Sequence, residues 1–355
     1  MKVAILHDYF DKKGGGERLM LNLARKLKAD IYTGFIDKKM TFDTKGIKII
    51  SLDISKKLPQ LLRNIKIAKK FENYKFPKYD VYIFSGVWCI SAARNNHPNI
   101  LYCHTPPRYL YDLKDYFIEQ SGIVQKGIFK KFIKYWKKKD RKYMENFDII
   151  CPNSNNVKKR ILKFYGTEIY RKCKVVYPGI ETKKFIYKKH ENYFLSTSRL
   201  DKLKRIDMII EAFIKMPDKK LIIVGKGPDK KSLQKISQNY DNIKFVGSVP
   251  EKELIDLYAR CKATIASAID EDFGMVSVES QAAGKPVIAV KEGGFLETVN
   301  KKTGVFFEPN SESLVNAIKK CEKIKWNYKL IQKNAKKYDI KLFAKKMERL
   351  CKSVV

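Results

Sequence analysis

The segment Asp270-Glu271-Asp272-Phe273-Gly274-Met275-Val276-Ser277-Val278-Glu279 follows a short apolar run and leads into a helical pattern. A glycine at a strand-to-helix turn lets backbone N–H groups approach a ligand, and the helix start beyond it attracts an anion such as a diphosphate. Glu279 falls more than one turn inside that helix, so it and Glu271 reach different parts of one extended ligand. Carboxylates accept hydrogen bonds well from vicinal hydroxyls. The competing reading is that Glu271 and Asp272 only complement the helix dipole and that Glu279 is a surface residue. Upstream, Arg199 and Lys204 precede a helix signalled by Ile206, Ile209, Ile210 and Phe213. In so basic a chain, two cations carry weight only through that spacing.

These residues need a frame to hold them. A chain of 355 residues with 44% hydrophobic content exceeds what one core usually fills, so two domains are expected. Short apolar runs alternate with amphipathic stretches along both halves, the pattern of parallel sheets flanked by helices. Strands are expected at 3–7, 31–33, 47–50, 81–85, 100–103, 149–152 and 175–177, then at 193–196, 221–224, 243–246, 263–266, 287–290 and 305–307. Gly14-Gly15-Gly16 sits between the first strand and a helix whose apolar face carries Leu19, Met20, Leu23, Ala24 and Leu27. Val276 to Ala283 reads as a helix closed by Gly284 as its C-cap. The fold class expected is α/β, with two doubly wound, Rossmann-like domains facing across a cleft, 1–180 and 181–335, followed by a terminal helix at 336–355. In open sheets of this kind, ligands sit beyond the carboxyl ends of the strands.

The Asp270–Glu279 segment resembles the signature of retaining GT-B glycosyltransferases of family 4, in which two glutamates are separated by seven residues and Phe-Gly follows the first closely. The resemblance extends over nearly the whole chain, and it implies that the terminal helix, with Phe343, Met347 and Leu350 on one side, crosses back onto the first domain. It implies that Arg199 and Lys204 grip the donor diphosphate, where two cations stabilise charge developing as the glycosidic bond breaks. It implies that Glu279 binds the ribose hydroxyls, that Glu271 faces the transferred sugar, and that Phe273, Gly274, Met275 and Val276 lie along the donor. Gly225 in Val224-Gly225-Lys226-Gly227-Pro228 and Val249 in Gly247-Ser248-Val249-Pro250 would edge the base and ribose, as would Gly293-Gly294. In the first half, Gly15 and Gly16 match a glycine-rich loop beside the donor phosphates and acceptor; the run is not a G-x-G-x-x-G fingerprint, which argues against a dinucleotide enzyme. Tyr102-Cys103-His104-Thr105-Pro106-Pro107-Arg108 resembles the His-Thr-Pro segment of mannosyltransferase-like members that build bacterial surface polysaccharides, so His104 is expected on the donor sugar and Arg108 on an acceptor phosphate. The implied activity is retaining hexosyl transfer, GDP-mannose favoured, to a glycan or polyprenyl-linked acceptor. No metal or other cofactor is expected: Asp270-Glu271-Asp272 spells an Asp-x-Asp, but the basic pair makes a divalent ion redundant.

The net charge of +36 suits phosphorylated substrates, an anionic membrane surface or nucleic acid, or else reflects lysine spread over solvated faces. Zinc-finger spacing, an RNP-like motif and a basic region with heptads are all missing, so nucleic acid is not the expected partner. Seven scattered cysteines without a C-x-x-C pair read as reduced thiols, and no leader or membrane-spanning run is seen, which fits a cytoplasmic protein. Residues 128–143 read as an amphipathic helix, with Ile128, Phe129, Phe132, Ile133, Trp136 and Tyr143 opposite Lys130, Lys131, Lys134, Lys137 and Lys138. Such a helix either lies peripherally on an anionic leaflet or packs on a sheet with solvated lysines. Other GT-B activities, a sugar-nucleotide epimerase or a glucan synthase, remain alternatives, since fold does not fix function.

Overall fold

Two sets of short apolar strands form separate parallel sheets. The computed structural model describes residues 1–355, the side chains at positions 123 and 124 excepted. Contacts divide the chain into a first unit, Met1–Tyr177 with Phe343–Val355, and a second, Pro178–Leu342. The first sheet contains β1 (Val3–His7), β2 (Asp30–Thr33), β3 (Ile49–Ser51), β4 (Val81–Ser85), β5 (Asn99–Cys103) and β6 (Ile149–Pro152), in the order β3-β2-β1-β4-β5-β6. The second contains β7 (Phe194–Thr197), β8 (Leu221–Val224), β9 (Ile243–Gly247), β10 (Thr264–Ala266), β11 (Val287–Val290) and β12 (Gly304–Phe307), in the order β12-β11-β10-β7-β8-β9. All the neighbouring strands pair in parallel. Counted from its own first strand, each sheet has the same doubly wound order, with its connections changing direction between β1 and β4 and between β7 and β10.

The strands read as unbroken apolar runs because helices cover both faces of each sheet; every residue of β1, β4 and β5 is buried. In the first unit, Phe84, Phe71, Ile67 and Phe147 belong to one core; in the second, Ile209, Phe213, Ile265 and Leu314 belong to another. The terminal helix Ile340–Lys352 buries Phe343, Met347 and Cys351, and the Phe343 ring meets Tyr102 edge-on at 5.3 Å inside the first unit. Leu350, expected on that face, is half-buried.

Two expectations need correction, and one element is additional. Residues 175–177 form no strand: Val176 donates one hydrogen bond to the Pro152 carbonyl, and the chain then leaves toward Pro178-Gly179. Ile128 is not on the packed face of its helix but 58% exposed. The helix Gln60–Asn73 is an element the sequence reading did not name, although Asn64, Ile67, Ala68 and Phe71 recur at helical spacing and are buried.

Candidate functional site

In the second unit, the connections after β7 and β10 diverge and open a cavity of about 240 Å³ between them. Ser196-Thr197-Ser198-Arg199 approach from β7, and Ala266-Ser267-Ala268 from β10. Glu271, Gly274 and Val276 join the wall at the start of the helix Met275–Ala282, and Lys204, Ile206, Ile265 and Phe295 line the rest. The loop is shaped by its glycines. Gly274 is left-handed, φ 86°, and a side chain there would strike the Phe295 ring. Gly293, φ 56°, packs so tightly that an added Cβ would lie 2.6 Å from the Glu271 backbone nitrogen and oxygen. The Gly294 N–H then donates to the Glu271 carbonyl at 2.7 Å, tying the two loops together.

Charge concentrates on one wall. Lys204 Nζ donates to Glu271 Oε2 at 2.7 Å, with both side chains mostly shielded from solvent. Burial works to lower the Lys204 pKa, but the carboxylates of Glu271, then Asp272 and Asp201, more than offset it, and the ammonium stays above its ordinary value. The backbone beside it is pinned as well: Ser267 Oγ donates to the Lys204 carbonyl at 2.5 Å and Ile269 N to the Leu203 carbonyl at 2.8 Å. Arg199 reaches outward, 70% exposed, with Nε 3.3 Å from Asp201. This places a shielded cation and an exposed one at the same opening.

Glu279 belongs to a different set of contacts. It accepts a 2.9 Å hydrogen bond from the Tyr258 hydroxyl, which is itself 2.6 Å from Thr197 Oγ1. Thr197 and Tyr258 thereby aim Glu279, and the sequence reading named neither in that role. It also missed Arg205 Nη1 donating to Glu292 at 3.0 Å while Glu292 accepts from the Asp270 N–H, a clamp at the base of the acidic loop. Phe273 is buried and Met275 half-buried at the same helix start. Gly225 and Val249 sit on the loops after β8 and β9, outside the cavity wall. Among the described residues, no group of three or more His, Cys, Asp or Glu side chains is arranged to hold a metal.

The first unit has a counterpart where its connections diverge. His7 and Ser85 end β1 and β4 in register, and Ser85 Oγ lies 3.3 Å from His7 Nδ1 and 2.9 Å from His104 Nε2. One hydroxyl proton cannot serve both rings, so at least one imidazole donates to Ser85 Oγ. Burial pushes the His104 pKa down to about 4, and burial together with His104 pushes His7 down to about 3, so both are neutral at pH 7. Gly16 faces the His104 ring, where an added Cβ would lie 3.2 Å from Cε1; Gly15 is exposed at the start of the helix Gly15–Leu27. Asp8 accepts from the N–H groups of Val87, Trp88 and Cys89 at 2.7 to 2.9 Å, which fixes the chain leaving β4. Arg108 is gripped by Asp112 through two bonds, 3.0 Å from Nε and 2.8 Å from Nη2. His7 was missed because a histidine ending an apolar strand looks like any other strand end; its register with Ser85 is the signal.

The basic helix spans Ile123–Glu145. Phe132, Ile133, Trp136 and Tyr143 are buried in the first unit's core, whereas Lys130, Lys131, Lys134 and Lys138 are exposed and Lys137 lies 5.3 Å from the Tyr111 ring centroid. Its apolar stripe is thus mostly used in packing. Among the described residues, no helix is long and apolar enough to cross a membrane. All seven cysteines are buried free thiols.

Comparison with known proteins agrees with this architecture. Residues 13–184 match the model of Glycosyltransferase Family 4, and residues 180–338 match that of Glycosyl transferases group 1. The alpha-1,3/1,6-mannosyltransferase ALG2 of Dictyostelium discoideum is 24% identical over an alignment of 426 positions, covering all of this chain and 98% of that protein. A GDP-mannose-dependent monoacylated alpha-(1-6)-phosphatidylinositol monomannoside mannosyltransferase of Corynebacterium glutamicum is 35% identical over 123 residues, 31% of this chain and 32% of that one. The structure of HepE from Anabaena in complex with UDP and glucose shares the fold at a TM-score of 0.75 and 19% identity, covering 99% of this chain and all of the other. With the two models spanning both sheets in succession, the chain belongs to the family 4, group 1 glycosyltransferases and is a GT-B transferase related to mannosyltransferases.

Proposed function

We propose that this transferase moves a hexose, mannose from GDP-mannose, onto a lipid-linked or oligosaccharide acceptor in surface-glycan synthesis, with retention of anomeric configuration. The observation that carries the reading is the Lys204–Glu271 pair beside Arg199 at the mouth of the cavity where β7 and β10 diverge. In this reading Arg199 and Lys204 hold the diphosphate, and the N–H groups at Gly274, Met275 and Val276 add the positive end of a helix. Glu279 takes the ribose hydroxyls and Glu271 faces the sugar. Gly225, Val249 and Phe273 border the rest of the donor. In the first unit, Gly15 and Gly16 leave room for phosphate, the neutral His104 hydrogen-bonds the sugar, and Arg108 takes a charged group of the acceptor. The Corynebacterium relative is GDP-mannose-dependent and acts on a lipid glycoside, which supports this choice of donor and acceptor; the HepE complex holds UDP, which makes the base the first thing to test.

The reaction proceeds on one face of the sugar. The bond from the anomeric carbon to the diphosphate breaks, the acceptor oxygen bonds to that carbon from the same side, and its proton passes to the departing phosphate oxygen. The protein supplies position and charge. The two cations do the work of a divalent ion, so EDTA leaves the rate unchanged. The enzyme is cytoplasmic in this reading, with exposed lysines of the helix Ile123–Glu145 favouring an anionic leaflet by about 1 kcal/mol for each lysine near the surface. Turnover of GDP-mannose against UDP-glucose, with NMR assignment of the product anomer, is the test. Retained configuration and GDP release are expected; an inverted product, or turnover of UDP-glucose alone, refutes the reading. Sedimentation with anionic liposomes checks the membrane contact, and no binding at low salt removes it.

A further inference from the structure

We infer that an aromatic cavity of the first unit holds the hydrocarbon chain of an anionic lipid that carries the acceptor. This deepens the proposed function and rests on it. The cavity measures about 450 Å³, and Trp88, Tyr109, Phe117, Phe129 and Phe132 wall it. That volume and lining suit an apolar ligand portion with few directing polar groups. Trp88 and Tyr109 lie nearly parallel, with centroids 6.3 Å apart, as do Phe129 and Phe132 at 6.0 Å. Flat apolar faces in this number suit a flexible hydrocarbon chain, and Gln60, Asn64, Ser121 and Gln125 give the same wall a polar side for the group that the chain carries.

Two polar atoms in the wall point to a ligand. Asn64 is 8% exposed, and its Oδ1 makes no hydrogen bond; the buried Tyr109 hydroxyl makes none either. Buried polar atoms without partners are rare in folded proteins. Asn64 Oδ1 can accept from a sugar hydroxyl, and Tyr109 can donate to a phosphate oxygen, the two groups that meet where a lipid carrier joins its first sugar.

Location and charge agree. Trp88 follows β4 and has its N–H fixed by Asp8 at 2.9 Å, and Tyr109 follows β5 by the His104 segment. Two residues of the cavity wall therefore come from the sheet edge that also bears His104. The helix that contributes Phe129 and Phe132 carries exposed Lys130, Lys131 and Lys134, a cationic flank for a lipid phosphate.

The test is equilibrium dialysis of the full chain with radiolabelled farnesyl phosphate below its micelle concentration, using wild type, Ser121→Trp and Phe129→Ala. Ser121 lies half-exposed on the cavity wall, so a tryptophan there obstructs the cavity without entering the core. Thermal stabilisation by GDP is measured on the same samples: its loss in wild type counts against the donor reading, whereas a failure confined to the lipid counts against this cavity. Saturable binding to wild type, weakened at least tenfold in both variants with GDP stabilisation intact, is expected. Undiminished binding in Ser121→Trp overturns the inference. So does the absence of saturable binding, or full displacement by inorganic phosphate or by methyl α-mannoside, which would leave the hydrocarbon chain without a role.

Discussion

The two units have the same strand order, yet they equip the point where their connections diverge in opposite ways. In the second, Lys204, Glu271 and Arg199 put full charges on the wall, and Lys204 stays cationic because carboxylates surround it. In the first, His7, Ser85 and His104 make a hydrogen-bonded row whose imidazoles are kept neutral by burial. One topology thus provides an electrostatic clamp in one copy and an uncharged hydrogen-bonding surface in the other. The difference lies in the loops beyond the strand ends, where a shared scaffold diverges. A leaving diphosphate needs the first kind of surface, and a sugar the second.

The comparison breaks most visibly at Lys204. If negative charge develops beside Lys204 as proposed, Lys204→Ala removes a fixed cation there and kcat should fall by about 10² to 10³, the range for losing one such donor. A smaller loss in steady-state assays would mean that the clamp is structural. Gly293→Ala tests the loop that sets the clamp. Its positive φ and the close Glu271 backbone should cost about 1–3 kcal/mol of stability, read by denaturant unfolding.

The neutral row gives a pH signature. The unfolded chain binds a proton at His7 near the ordinary value of 6.5 and the folded chain only near 3, so stability from this residue is present above 6.5 and lost as pH falls toward 3. Asp8, Glu17 and Asp140, whose pKa values are raised by burial, act in the opposite sense nearby, so the difference between wild type and His7→Asn isolates the histidine's share. Wild type should lose about 2 kcal/mol relative to that variant between pH 7 and pH 5, by urea unfolding. Parallel curves would show that His7 is not held neutral. The smallest effect is expected at His104→Ala, where losing the one neutral hydrogen bond proposed to the sugar should cost roughly tenfold in kcat/KM. A loss as large as that of Lys204→Ala would end the distinction between the two regions.

Much of this was legible in the sequence, for identifiable reasons. Parallel strands buried on both faces announce themselves as apolar runs, as in Val3–His7 and Val81–Ser85. The spacing of Glu271, Gly274 and Glu279 pointed to a strand-to-helix turn, and Met275–Ala282 is that helix. Residues 175–177 misled because an apolar run looks the same whether it joins a ladder or merely crosses its end with a single bond from Val176. Ile128 fits the helical stripe but lies beyond the core that buries Phe132 and Trp136. The parts that aim side chains were hidden altogether. Tyr258 precedes the Glu279 it orients by 21 residues, and Ser85 lies 78 residues from His7, distances that only the folded sheet closes.

The most direct test of the central claim is a thermal-shift titration with GDP, UDP, ADP and CMP on wild type, Lys204→Ala and Glu279→Ala. A nucleotide at 100 times its dissociation constant stabilises the folded state by about 2.7 kcal/mol. Selective stabilisation of the wild type by GDP, abolished by Lys204→Ala and by Glu279→Ala, is expected. Stabilisation that survives both substitutions would contradict that claim, since the diphosphate and ribose would then be held elsewhere.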